Sequence, residues 1–163
     1  MDMNLLSKPV ALDIITQLGN YRVDKKVIYY ELVCGIDWRF LTQNIAEALK
    51  YSRFKKIRLA WDFGFSQQLK IKDALTLLLK TGYRPKDITI FMICNWRISY
   101  AVCLRKLWLC GIWNVKVADC YFDGQTSPNI DPISWTAEQI KSFRRRVRKQ
   151  NQLVNFGIDP EAK

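Results

Sequence analysis

In "GIDWRFLT", residues 35 to 42, an acid and a base stand two positions apart behind a glycine and an apolar run. That pair suits a small polar ligand, because a guanidinium grips a carboxylate bidentately and a carboxylate accepts from hydroxyls. The same spacing also suits a turn in which Asp37 and Arg39 pair with each other at the surface, where such a pair contributes little. Polar residues recur after each later apolar run: Trp61 and Asp62, then Cys94, Asn95 and Trp96, then Asp119, Cys120, Tyr121 and Asp123. The first run also carries Glu31, Cys34 and Gly35. Taken singly, an acid after a strand reads as readily as a helix cap or a turn residue. Taken together, polar groups at the same end of successive units are the pattern of a concave site lined by several strands.

Other chemistries are excluded by composition. The chain has no His, and its five Cys, at 34, 94, 103, 110 and 120, include no C-x-x-C pair. A self-contained zinc site and the Ser-His-Asp and Cys-His nucleophile arrangements therefore lack their parts. The odd number of thiols argues for reduced cysteines acting as small core residues. The start, "MDMNLLSKPV", lacks the basic and apolar regions of a signal peptide, and runs such as "ITIFMIC" are too short to cross a bilayer. A soluble, cytoplasmic protein is expected. Its net charge of +11 favours a polyanion or an acidic partner.

At 163 residues and 49% apolar content, the chain is about one domain with a sizeable core. Apolar runs starting near Val27, Ile57, Ile88 and Val115 recur at the length of a strand, a helix and two loops. Between them, Thr42 is placed to cap a helix carrying Ile45, Ala46 and Leu49 on one face. A second helix aligns Ile71, Ala74, Leu75, Leu78 and Leu79 and stops at Gly82. A third turns Leu104, Leu107 and Trp108 inward and meets Gly111. Strands that are almost continuously apolar, each followed by a helix, predict a parallel sheet covered by helices. Ligand sites in such sheets form at the carboxyl ends of the strands.

Two ends of the chain complete the expected organisation. Ser7 is placed to cap a helix over "PVALDIITQLGN" that ends at Gly19, with no strand before it. The chain is thus expected to start partway through a larger α/β sheet or barrel. Residues 1–135 form the partial βα barrel in this reading, and residues 136–163 a basic helix and tail packed on it. That helix, roughly 136 to 150, keeps Ile140, Phe143 and Val147 on one face and presents Lys141, Arg144, Arg145, Arg146, Arg148 and Lys149 elsewhere. Contact with RNA or DNA and a merely solvated outer face are equally compatible with that pattern.

The stretch "YYELVCGIDWRFLTQNIAEALKYSRFKKIRLAWDF" resembles the middle of radical SAM proteins, where a Gly-Ile-Asp-x-Arg-x-Leu-Thr run leads through a helix to a strand ending in Ala-Trp-Asp. "ITIFMICNW", "WNVKVADCYFDGQTSPN" and "RKQNQLVNFG" stand where that family has its following strands, loop and basic helix. The resemblance implies a partial TIM-like barrel, about four strands of it here, and a cofactor pair of S-adenosylmethionine and a [4Fe-4S] cluster. It places Asp37, Arg39 and Asp62 at the cofactor, with Glu31 and Asn95 following from strand phase alone. Arg39 would suit the methionyl carboxylate, and Asp37 or Asp62 the ribose hydroxyls. The Cys-x-x-x-Cys-x-x-Cys loop that holds the cluster is missing. The chain is therefore expected to be the carboxyl-terminal half of such a protein, inactive alone. It would be completed by an amino-terminal half or a separate cluster-bearing chain, and its unpaired sheet edge would otherwise form a homodimer. A basic nucleic-acid-binding module and a stand-alone half-barrel are the competing expectations.

Overall fold

The computed structural model describes residues 4–121 and 135–158. Three parallel strands, β3 (Ile57–Ala60), β4 (Ile88–Cys94) and β5 (Lys116–Tyr121), lie side by side in chain order. Ile57 pairs with Ile88 and Ile90 with Val117, so neighbouring strands alternate in phase. The chain connects them through α3 (Gln68–Lys80) and α4 (Tyr100–Ile112), while α1 (Ala11–Asn20) and α2 (Gln43–Tyr51) precede them and α5 (Ala137–Phe156) follows. The fold is mixed α/β, and the described residues form no closed barrel.

One face of the sheet carries the core. Ile57, Leu59 and Trp61, then Ile88, Ile90, Met92 and Cys94, then Val117 are buried. The alternate residues, Arg58 and Ala60, Thr89, Phe91 and Ile93, and Lys116 and Ala118, are only half-buried. The inward residues of β4 alternate strictly, as a sheet with one well-covered face requires.

The fourth strand expected from Val27 onward is not a regular strand. Arg22–Val23 (β1) and Lys26–Val27 (β2) form a short antiparallel hairpin instead. Beyond it, the chain touches the sheet edge at two parallel bridges, Tyr30 with Phe54 and Ile36 with Leu59. Between the bridges the backbone turns, with Gly35 N–H donating to Leu32 C=O at 3.3 Å and Gly35 at φ +87°. A left-handed glycine cannot continue a strand, so β-branched content alone overestimated this element.

Local sequence chemistry explains most of the helices. The Thr42 hydroxyl accepts from Ile45 N–H, and Thr136 forms a full capping box with Gln139. Helix α5 runs to Phe156, six residues past the expected end, because Leu153 and Val154 extend the apolar stripe and Gly157 caps it at φ +67°. Ser7 does not cap α1: its hydroxyl donates to Asn4 C=O in a short 3-10 turn, and Val10 takes the cap position. Gly19 fits because α1 crosses α2 closely. A Cβ there would lie 2.5 Å from Ser52 Oγ and 3.2 Å from its backbone.

The two edges of the sheet differ. At β5, Val117 N–H donates to Asn151 Oδ1 and Val117 C=O accepts from Asn151 Nδ2, both at 2.8 Å. A side-chain amide from α5 thus takes the place of a neighbouring strand. The opposite edge, around residues 27 to 33, exposes Val27, Tyr29 and Val33. Among the described residues, no helix is long and apolar enough to cross a membrane.

Candidate functional site

Asp37, Arg39 and Asp62 converge at the carboxyl end of the sheet. Together with Trp38, Ala60, Phe63 and Gln67 they line a small hollow of about 70 Å³. Asp37 arrives there as the cap of the 3-10 turn Trp38–Phe40, its carboxylate accepting from Arg39 N–H at 3.0 Å. The Arg39 guanidinium then folds back on it, with Nε 3.0 Å from both oxygens and an Nη 2.5 Å from one. This hydrogen bonding holds the Asp37 carboxyl below its usual range. The local pair weighed from the spacing is therefore present, and it lies at the mouth of the hollow rather than apart from it.

Asp62 is in a different electrostatic state. Its carboxyl forms no hydrogen bond or ion pair with a described residue, and burial raises its pKa. The Lys106 charge opposes that shift, and the Asp37 charge adds to it. One wall of the hollow thus carries a satisfied carboxylate with its guanidinium, and the other carries a partly desolvated carboxyl with unused acceptor capacity.

Glu31 does not line this hollow. It pairs with Arg58, and Lys56 lies 3.6 Å from its other oxygen. Arg58 also donates to Val33 C=O at 2.7 Å and lies 5.3 Å from the centre of the Phe91 ring. These groups occupy the less covered sheet face. Asn95 follows β4 in a left-handed conformation, φ +55°, and is not part of the hollow's lining. Asp123 lies outside the described residues.

Sequence reasoning missed Lys106. It was expected that α4 would turn Leu104, Leu107 and Trp108 inward, yet Trp108 is 62% exposed. The buried residues of α4 are Cys103, Lys106, Leu107 and Cys110. They follow helical spacing once a lysine is admitted to the core, and that admission is what a hydropathy pattern withholds. Lys106 Nζ donates to Trp61 C=O at 2.8 Å and lies 5.0 Å from the centre of the Trp61 ring. Burial lowers its pKa. The residue it holds is the one immediately before Asp62, so the buried amine anchors the strand end that presents the free carboxyl. Trp113 stacks on Trp61 with ring centroids 5.7 Å apart.

The thiols do not assemble a metal centre. Cys94, Cys103 and Cys110 are buried between β4 and α4, while Cys34 and Cys120 are exposed. Hydrogen bonding with Cys103 and burial push the Cys94 thiol up, and burial does the same to Cys110. A cluster ligand must be a thiolate, and the surroundings of Cys94 and Cys110 favour the thiol, whereas hydrogen bonding with Cys94 lowers the pKa of Cys103. Among the described residues, no group of three or more His, Cys, Asp or Glu could hold a metal ion. The residues present do not fit an iron-sulfur cluster.

Basic side chains cover the exposed sides of α5. Lys141, Arg144, Arg145 and Arg148 line one hollow, with Arg144 4.4 Å from the Tyr121 ring centre. Arg146 and Lys149 face the other side, toward α4. No protein family, curated protein or solved structure matches this chain.

Proposed function

We propose that this chain supplies one wall of a carboxyl-end ligand site in a larger α/β assembly, and that the ligand is S-adenosylmethionine. The observation that carries this reading is the unpaired, desolvated Asp62 carboxyl facing the Asp37–Arg39 pair across one hollow. In this reading, Asp62 accepts from the ribose hydroxyls. Arg39, whose side chain is 62% exposed, takes the methionyl carboxylate while retaining Asp37. S-adenosylmethionine supplies an adenosyl or methyl group when bound, and this chain's residues bind and orient it.

The hollow's size supports a shared site. Ligand pockets for molecules of this class run to roughly 300–1,000 Å³, and about 70 Å³ accommodates only one end of such a ligand. The edges of the sheet indicate where the remainder would join. Asn151 occupies the β5 edge at Val117, whereas Val27, Tyr29 and Val33 expose apolar surface at the other edge. A second α/β half, carrying the cluster ligands that this chain lacks, would add there. A second copy of this chain is the alternative occupant of that edge.

Calorimetric titration of the chain with S-adenosylmethionine tests the reading. Binding in the millimolar range is expected, as for half a site, with loss of measurable heat in Asp62→Asn and Arg39→Ala. Asp87→Asn, which alters a carboxylate paired with Arg84 elsewhere, leaves it intact. Equal heats for all four proteins, or none for the unaltered chain, would overturn the assignment.

A further inference from the structure

A second feature lies on the helical side of the molecule. Helices α4 and α5 lie side by side and leave a groove of about 390 Å³ between them. Its α4 side is Leu104, Leu107, Trp108, Gly111 and Ile112, and its α5 side is Arg146, Lys149, Gln150 and Leu153. Both sets follow the i, i+3, i+4, i+7 spacing of a single helix face. Trp108 is 62% exposed and Ile112 43%. Exposed apolar side chains in one contiguous strip, rimmed by charge, mark an interaction site rather than scattered surface residues.

We infer that this groove docks an acidic amphipathic helix of a partner protein. The apolar floor calls for an apolar stripe, and the rim determines the sign of its flanks. The charged residues that line the groove, Arg146 and Lys149, are both basic, and Glu138 is the single acid of α4 and α5. Among the described residues, Arg146 and Lys149 have no ion-pair partner, so an incoming Glu or Asp displaces none. The occupant is a helix rather than a strand, because the groove walls are helices whose backbone groups are already bonded internally and offer no ladder to extend. The α4 wall from Leu104 to Ile112 is about 12 Å long, which two to three turns of a docked helix would cover. Leu104, Leu107, Ile112 and Leu153 in the lining argue against nucleic acid, which uses aromatic platforms and phosphate contacts but gains little from Leu and Ile. Trp108 and Arg146 are of the residue types that dominate binding energy at protein interfaces.

Fluorescence anisotropy with the full chain provides the test. The probes are three labelled species: an 18-residue helical peptide with a Leu stripe and Glu flanks, the same peptide with Lys flanks, and a 12-nucleotide oligo(U). The Glu-flanked peptide is expected to bind at least tenfold more tightly than the Lys-flanked one. Trp108→Ala is expected to weaken it at least tenfold, and Arg146→Glu with Lys149→Glu to reverse the preference. Lys141→Glu with Arg145→Glu, on the other side of α5, leaves the preference unchanged. Equal binding of both peptides, equal damage from the two double variants, or oligo(U) binding that Trp108→Ala abolishes would overturn the inference.

Discussion

Replacing Lys106 by Met makes the stability of this protein less dependent on pH. In the folded chain the amine is fully buried, and burial lowers its pKa from the ordinary 10.5. In the interval between the lowered folded value and the unfolded one, the unfolded chain binds the extra proton. Stability therefore rises with pH across that interval, by at most about 1.4 kcal/mol per pH unit for one site. Below the interval both states are protonated, and the penalty for burying the charge is at its full value. Met fills similar space without a proton to lose, so that slope disappears. It also removes the donor to Trp61 C=O, and a buried carbonyl left without its partner costs roughly 1–3 kcal/mol. The two effects oppose each other: relief of the buried charge favours Met at the acid end of the interval, and the lost hydrogen bond favours Lys at the alkaline end. Urea denaturation followed by tryptophan fluorescence at intervals from pH 6 to 10 reads the difference. A stability difference that stays constant with pH would refute the reasoning, because it would mean that Lys106 keeps an ordinary pKa in the folded state.

Other substitutions probe the packing and the site. Asn151→Ala leaves the Val117 N–H and C=O without partners, which costs about 2–4 kcal/mol and is expected to speed hydrogen exchange at the Val117 amide. Gly19→Ala forces a Cβ against Ser52 and costs about 1–3 kcal/mol; combining it with Ser52→Gly, which removes the side-chain atoms it would meet, is expected to recover most of that loss in thermal denaturation. Asp62→Asn removes a carboxyl whose folded pKa is raised, so the folded state binds its proton more tightly than the unfolded one and loses stability as pH rises through the interval above 3.8. The variant is expected to match or exceed the unaltered chain in melting temperature at pH 7 and to fall below it in relative terms at pH 3.

The sequence disclosed elements wherever one local rule acted alone. Thr42 and Thr136 cap as their positions suggest, α3 buries Ile71, Ala74, Leu75 and Leu78, and β4 alternates from Ile88 to Cys94. It misled where tertiary context decided the outcome. The segment from Val27 to Asp37 has strand composition, but the turn at Leu32–Gly35 reduces it to two bridges. The inward face of α4 was obscured because Lys106 interrupts an apolar stripe while Trp108, the largest apolar residue nearby, lies outside it. Asp37, Arg39 and Asp62 were readable as strand-end residues. Their division into a paired and an unpaired carboxyl was not, because it depends on a side-chain rotation at Arg39 and on burial around Asp62.

Carbon-detected NMR titration of the Asp62 carboxyl, with and without saturating S-adenosylhomocysteine, tests the proposed ligand site most directly. The expected result is a pKa above the ordinary aspartate value in the free chain that falls when the ligand is present, as ribose hydroxyls donate to the ionised form. A pKa already at or below the ordinary value in the free chain, or one that saturating ligand leaves unchanged, would contradict it.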